Sequence, residues 1–140
     1  MDGQVIRFEA LDLDGNPVSA ADLFAQNEIT MINIWATWCG PCIGELAELQ
    51  KLHSRSQEKG CGVVGLLIDN DLSEARKLIA KNGVAYPVLR APANLNSIFP
   101  VDAYPTTYFV NREGEILSAP VVGAYMDQYR DRLAALLDVQ

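Results

Sequence analysis

The sequence predicts an α/β domain in which helices flank a mixed central sheet, with a β-hairpin added at the N-terminus. Three observations carry that prediction. Apolar, β-branched runs alternate with stretches of helical periodicity through the middle of the chain. Two strand-like runs joined by a tight turn follow near the C-terminus. An Asp-Gly turn separates two short strand-like pieces near the start. The 140 residues suit one domain, 1–140, large enough to bury a core without covalent staples.

Residues 5–10 and 18–20 flank "DLDGNP", where Asp14-Gly15 marks the hairpin turn, and "ADLFAQN" follows as one or two helical turns. "ITMINIWAT" is an almost unbroken apolar run, the pattern of a strand covered on both faces, so it belongs at the centre of the sheet. At Pro41 the period changes. Leu46, Leu49 and Leu52 or His53 recur three to four apart, Pro41 suits a first helical position, and Gly60 suits the exit. "GVVGLLIDN" reads as a second buried strand. "SEARKLIAKNG" reads as a helix with Ala75, Leu78 and Ile79 on one face and Gly83 as its stop. "YPVLRA" suits a short strand and "ANLNSIF" a short helix. "PTTYFVN" and "EILSAPVV" are strands joined through "NREG", with Gly114 at the turn. From 125 to 138, Met126, Tyr129, Leu133 and Leu136 or Leu137 form the stripe of an amphipathic helix. This order predicts parallel strands first and an antiparallel pair last.

With 49% hydrophobic and 21% charged residues, the composition is that of a globular protein rather than a disordered tail or fibrous repeat. A net charge of -7 opposes nucleic-acid binding, which needs clustered Lys and Arg. Partners are expected to be proteins or small neutral molecules. No apolar run approaches the roughly 18 residues of a membrane span. "MDGQVIRFEA" lacks the charged, apolar and cleavage regions of a signal peptide.

Three cysteines are an odd number for a disulfide framework. Cys39 and Cys42 lie in "IWATWCGPCIGE", between the apolar strand and the helix that starts at Pro41. A thiol attacks as its thiolate. The free N–H groups and partial positive charge of a helix N-terminus lower a thiol pKa from about 8.5, to roughly 7 or below in Cys-X-X-Cys sites. Cys39 sits where those groups point, and Cys42, one turn further in, is expected to be buried. Cys39 is then the nucleophile on a substrate disulfide and Cys42 the resolving thiol. Between them Pro41 starts the helix and Gly40 leaves room for a substrate backbone. Trp35 packs in the core, and Trp38, adjacent to the nucleophile, suits either shaping the exposed site or packing. Other readings compete. A staple over so short a loop would constrain little chain entropy. Half of a zinc site would have only His53 and Cys61 left to complete it, without short pair spacing. Inert core thiols would make the helix-start placement a coincidence. Cys61, ahead of the second buried strand, reads as a bystander thiol, and His53 as a surface or boundary residue.

At "WCGPC" the chain resembles the thioredoxin superfamily, from about Val5 to Leu137, which implies a thioredoxin-like fold. The leading hairpin and "NIWATWCGPCIGELAEL" are more similar to the TlpA and ResA-like branch, bacterial extracytoplasmic thiol-disulfide oxidoreductases that are often membrane-tethered. The resemblance implies that Cys39 is the exposed nucleophile and Cys42 its resolving partner. It also implies a cis-proline facing them. "AYPTTYFV" places that proline at Pro105, with Tyr104 and Thr106 as its substrate-binding neighbours. By base rate only about 5–6% of X-Pro bonds are cis, and Tyr86-Pro87 is the rival. Thioredoxins proper carry a buried aspartate on the central strand, where this chain has Asn33, which cannot titrate. ResA-like proteins use a glutamate three residues after the second cysteine, and Glu45 stands there. Positions i and i+3 share a helix face, so a desolvated Glu45 with raised pKa suits removal of the Cys42 proton. The simpler alternative is a solvated first-turn glutamate. Many relatives have a proline shortly after it; Leu46 and Ala47 here predict a straighter helix.

The expected function is therefore thiol-disulfide exchange with partner proteins through Cys39 and Cys42, with the family analogy favouring a protein-disulfide reductase. Protein disulfides are the expected substrates and an upstream thiol the electron donor, including service to apocytochromes before haem attachment. No cofactor and no metal are expected, and the chain is expected to be a monomer. The resemblance implies the periplasm or the outer face of the membrane for a chain that has lost a signal or anchor, and the cytoplasm otherwise. Two other classes compete. A thioredoxin-fold binding module or metal chaperone would keep a non-cycling pair, but the sole His53 lies on the wrong stretch. A peroxiredoxin-type peroxidase uses Thr-x-x-Cys, and Ala36 stands three before Cys39.

Overall fold

The computed structural model describes residues 4–138. Among them seven strands form one sheet: β1 (Glu9–Asp12), β2 (Pro17–Ser19), β3 (Ile29–Trp35), β4 (Cys61–Leu67), β5 (Val88–Arg90), β6 (Thr106–Asn111) and β7 (Val121–Val122). Their spatial order is β2-β1-β5-β4-β3-β6-β7. The helices are α1 (Ala20–Phe24), α2 (Gly40–Ser56), α3 (Leu72–Lys81), α4 (Leu95–Ile98) and α5 (Met126–Leu137). β3 runs parallel to β4 and β4 parallel to β5, whereas β6 is antiparallel to both β3 and β7. The parallel-then-antiparallel order is present, and β3 lies inside the sheet between β4 and β6, next to the middle strand β4. Every residue of β3 and β4 is buried, as a continuous apolar run requires.

Side-chain alternation sorts the core into two layers. Ile29, Met31 and Trp35 of β3 pack with Phe109, with Leu46 and Leu49 of α2, and with Tyr129 and Leu133 of α5. Ile32 and Ile34 point the other way and join Phe24, Phe99, Tyr108 and Val110. The same alternation turns Asn33 toward α2, directly paired across the sheet with Thr107. Two polar residues thus stand in an apolar layer. Gly65 explains itself at the other flank: a Cβ there would come 3.2 Å from Trp35 Nε1.

Some boundaries depart from the sequence expectation. The first hairpin strand is Glu9–Asp12 rather than 5–10. Val5 instead bridges Glu115, and the Ile6 N–H donates to the Gly114 carbonyl at 2.7 Å, so this segment crosses to the opposite end of the sheet. "EILSAPVV" is not one strand. Ile116 makes a single bridge to Val110, and pairing resumes only at Val121, after Pro120, which has no N–H to give a ladder. Cys61 begins β4 rather than preceding it.

His53 is more than a boundary residue. β5 pairs with β4 only from Gly65 onward, so the earlier part of that edge lacks a strand partner. The Val63 N–H donates to His53 Nδ1 at 2.9 Å, and Gln57 Nε2 donates to the Cys61 carbonyl at 2.8 Å. Side chains at the end of α2 and in the 3-10 turn after it thus complete the edge. Burial holds the His53 pKa below its ordinary value, in keeping with an unprotonated acceptor nitrogen.

Candidate active site

The site begins where β3 stops. Asp69, just after β4, takes hold of the connecting loop: its Oδ2 accepts the Thr37 N–H at 2.7 Å and the Thr37 hydroxyl at 3.0 Å. The Cys39 N–H returns to the Ala36 carbonyl at 3.2 Å, and this turn presents Cys39 as the N-cap of α2. Cys39 and Cys42 are joined as a disulfide, with Cα atoms 5.3 Å apart. Cys39 Sγ accepts the Cys42 N–H at 3.3 Å. That N–H is one of the free donors of the helix start, so negative charge on the Cys39 sulfur is stabilised there. Pro41 stands in the first turn, where a missing N–H loses no helical bond.

The order of accessibility is the expected one, but its degree is not. Cys42 is fully buried and Cys39 retains only 5% exposure, so Cys39 is not the open nucleophile that the resemblance implied. The reason lies in its walls. Trp38, 64% exposed, meets Tyr104 edge to face at 5.6 Å between centroids, and the Tyr104 carbonyl oxygen is 3.6 Å from Cys39 Sγ. Tyr104-Pro105 is cis, and Pro105 is itself buried. Gly40 and Pro41 are exposed, with open space beside Gly40, which leaves room for an approaching chain. Thr106 departs from its expected part in substrate contact. It is buried, its hydroxyl donates to the Ala103 carbonyl at 2.7 Å, and its register partners are Ile34 and Val122. It braces the proline segment from inside. Trp35 packs in the core, as expected, although its indole N–H finds no acceptor among the described residues.

Behind the disulfide, Glu45 is 4% exposed, which overturns the solvated alternative. Its Oε2 accepts from Asn33 Nδ2 at 3.0 Å, and Tyr129 Oη lies 2.9 Å from Oε1 and 3.1 Å from Oε2. Asn33 Nδ2 also donates to Thr107 Oγ1 at 3.1 Å. Burial pushes the Glu45 carboxyl up to about 7, with the Tyr129 and Asn33 donors pulling against it. A carboxyl of that pKa can take or release a proton near neutrality. The phenols of Tyr129 and Tyr86 are pushed up, by burial first and by the Glu45 charge second.

Sequence reasoning brought Cys39, Cys42, Glu45, Trp38, Tyr104 and Pro105 to this place but missed Tyr129, Thr107 and Asp69. In the sequence Tyr129 is one more member of an apolar stripe, and its polar tip is the only signal of a further part. Asp69 follows a strand, where an acidic residue reads as part of a turn. Cys61 is buried and outside the disulfide, its thiol pushed up to about 11 by burial first and by the Glu28 charge second. Among the described residues, no group of three or more His, Cys, Asp or Glu is placed to hold a metal ion. No helix of the described residues is long and apolar enough to cross a membrane.

The chain is 30% identical over 106 residues to the thiol-disulfide oxidoreductase ResA of Oceanobacillus iheyensis, covering 75% of this chain and 54% of that protein. With ResA of Halalkalibacterium halodurans it is 24% identical over 121 residues, 86% of this chain and 68% of that one. The chain therefore spans from about half to two thirds of these relatives' length. It superposes on a thiol:disulfide interchange protein of the thioredoxin family from Chlorobium tepidum with a TM-score of 0.81 at 24% identity, covering 98% of this chain and 97% of that one, which gives it the thioredoxin fold. The AhpC/TSA family model matches residues 1–119, and the chain belongs to the AhpC/TSA family.

Proposed function

We propose that the 140 residues work as one thioredoxin-like domain, a thiol-disulfide oxidoreductase that reduces disulfides of partner proteins through Cys39 and Cys42. The observation that carries this reading is the Cys39–Cys42 bond at the N-terminus of α2, bordered by the cis Pro105 segment and backed by buried Glu45. In the reduced protein, the Cys39 thiolate attacks one sulfur of a substrate disulfide, and the other leaves as a thiolate. A mixed disulfide results. Glu45 then takes the Cys42 proton, and the Cys42 thiolate attacks Cys39 Sγ. The second substrate sulfur departs as a thiolate, one substrate thiolate takes the proton that Glu45 gives back and the other the proton that Cys39 had released to solvent, and the enzyme holds the bond seen here. Two electrons have passed to the substrate, and an upstream thiol donor must return them.

A peroxiredoxin-type peroxidase would need a hydroxyl three residues before the cysteine; Ala36 supplies none, and the Thr37 hydroxyl donates to Asp69. Resemblance to the ResA-like branch supports action outside the cytoplasm. Replacing Cys39→Ser is expected to abolish reduction of a model protein disulfide, while Cys42→Ser traps substrate as a mixed disulfide visible on a non-reducing gel. A Cys39→Ser protein with full activity would sink the proposal. Direction is read from the midpoint potential. A value at or below about -270 mV fits a reductase, whereas one near roughly -120 mV makes the pair an oxidant.

A further inference from the structure

The Tyr129 hydroxyl has one proton and more than one claimant for it. Its oxygen lies 2.9 and 3.1 Å from the two carboxyl oxygens of Glu45 and 3.0 Å from the Gly123 carbonyl oxygen. When Glu45 is ionised, the charge-assisted bond draws the phenol proton to the carboxylate. When Glu45 is protonated, its own O–H donates to Tyr129, and the phenol proton turns to Gly123. The Gly123 carbonyl also accepts the Tyr125 N–H at 3.1 Å, so it is never orphaned and the exchange leaves no buried group unpaired.

Gly123 is tied to the mouth of the site. Its N–H donates to the Pro105 carbonyl at 2.8 Å, and the preceding residue, Val122, is paired with Thr106. Its φ of +108° and the Tyr125 ring, 2.5 Å from where a Cβ would lie, leave only glycine in that place. A residue gripped at its N–H end by Pro105 and at its carbonyl end by Tyr129 joins the buried acid to the segment beside Cys39.

Resting on the reading of Glu45 as the base for Cys42, we propose that Tyr129 is a positioning residue of the exchange reaction. Its single proton passes between Glu45 and the Gly123 carbonyl, and so conveys the protonation state of Glu45 to the Pro105 segment. When Cys42 gives up its proton, Tyr129 releases Glu45 and takes hold of Gly123, firming the Pro105 side as Cys42 attacks Cys39. No proton enters the cluster beyond the one Glu45 accepts.

The groups around Glu45 are few. Asn33 of β3 and, behind it, Thr107 of β6 are neutral; Tyr129 comes from α5, Tyr86 precedes β5, and Cys42 lies one turn back on α2 within the disulfide. Glu48, one turn on, is half-exposed and paired with Lys51 and Arg130. Both phenols are pushed further up, so they stay neutral while Glu45 titrates.

The test follows the Glu45 carboxyl carbon and the Gly123 carbonyl carbon by NMR in the oxidised, isotope-labelled chain from pH 5 to 9. In the wild type the two are expected to titrate with one midpoint. Tyr129→Phe removes a donor to the carboxylate, which should raise the Glu45 midpoint by about one pH unit and flatten the Gly123 response. It should move the pH profile of disulfide reduction in the same direction, a change that lost packing alone would not produce. A Gly123 carbonyl that stays flat in the wild type, or still titrates unchanged in Tyr129→Phe, overturns the proposal, the first without need of any variant. The underlying reading fails separately. If Glu45→Gln keeps the wild-type rate and pH profile, Glu45 is not the base and Tyr129 loses its part in the reaction. A Glu45→Gln defect with a flat Gly123 carbonyl removes Tyr129 alone.

Discussion

Glu45 and His53 pull the pH dependence of stability in opposite directions. Folding raises the Glu45 pKa from 4.5 to about 7, so the folded chain holds a proton that the unfolded chain has released across that window. Stability associated with the protonated carboxyl is complete below about pH 4.5 and is lost as pH rises through about 7. From that difference the loss is about 3 kcal/mol. His53 has the other sign: its pKa is lowered, so its contribution is present above 6.5 and is lost as pH falls below it, when protonating Nδ1 would break the Val63 bond. Glu45→Gln isolates the first effect. Urea unfolding should give the variant and the wild type similar stability at pH 4.5, with the variant ahead by about 3 kcal/mol at pH 8. Parallel stability curves would mean that the carboxyl carries no such strain.

At the scale of elements, the division between what could and could not be read is the division between local and distant chemistry. The burial of β3, the start of α2 at Gly40 and Pro41 and the stop of α3 before Gly83 each depend on a few neighbouring residues, and each is legible. The Glu45–Tyr129 bond joins residues 84 apart, and the Val63–His53 bond closes a gap that exists only because β5 starts late. Period and propensity do not carry such facts. Gly114 belongs to both classes. Its turn was visible, with φ of +87°, but not the crossing that brings Ile6 to it, where a Cβ would meet the Ile6 oxygen at 2.6 Å. Gly114→Ala is therefore expected to cost more than the roughly 1–2 kcal/mol of a left-handed alanine, because backbone must also move. Chemical denaturation measures the loss. The rate at which dithiothreitol reduces the Cys39–Cys42 bond should stay unchanged, since that end of the sheet is held by Asp69 and the start of α2.

Across the whole molecule, a net charge of -7 surrounds a mouth that is apolar rather than charged. Three of the exposed large hydrophobic side chains, Trp38, Val122 and Tyr125, are linked to the Pro105 segment: Trp38 through Tyr104, Val122 through Thr106, and Tyr125 through Gly123. Close contact would then be apolar, while approach is governed by the field of the whole protein, which reaches about 10 Å at 0.1 M salt. Rates with small disulfides separate the two. Cystamine, a dication, should be reduced faster than dithiodiglycolate, a dianion, after each rate is divided by that of free dithiothreitol with the same disulfide. The preference should be about tenfold at low ionic strength and approach unity near 1 M salt. A ratio indifferent to salt would place all discrimination in the ring around Trp38 and Tyr104. A ratio that collapses would mean that the acidic surface selects which disulfides arrive before any side chain of the site has touched them.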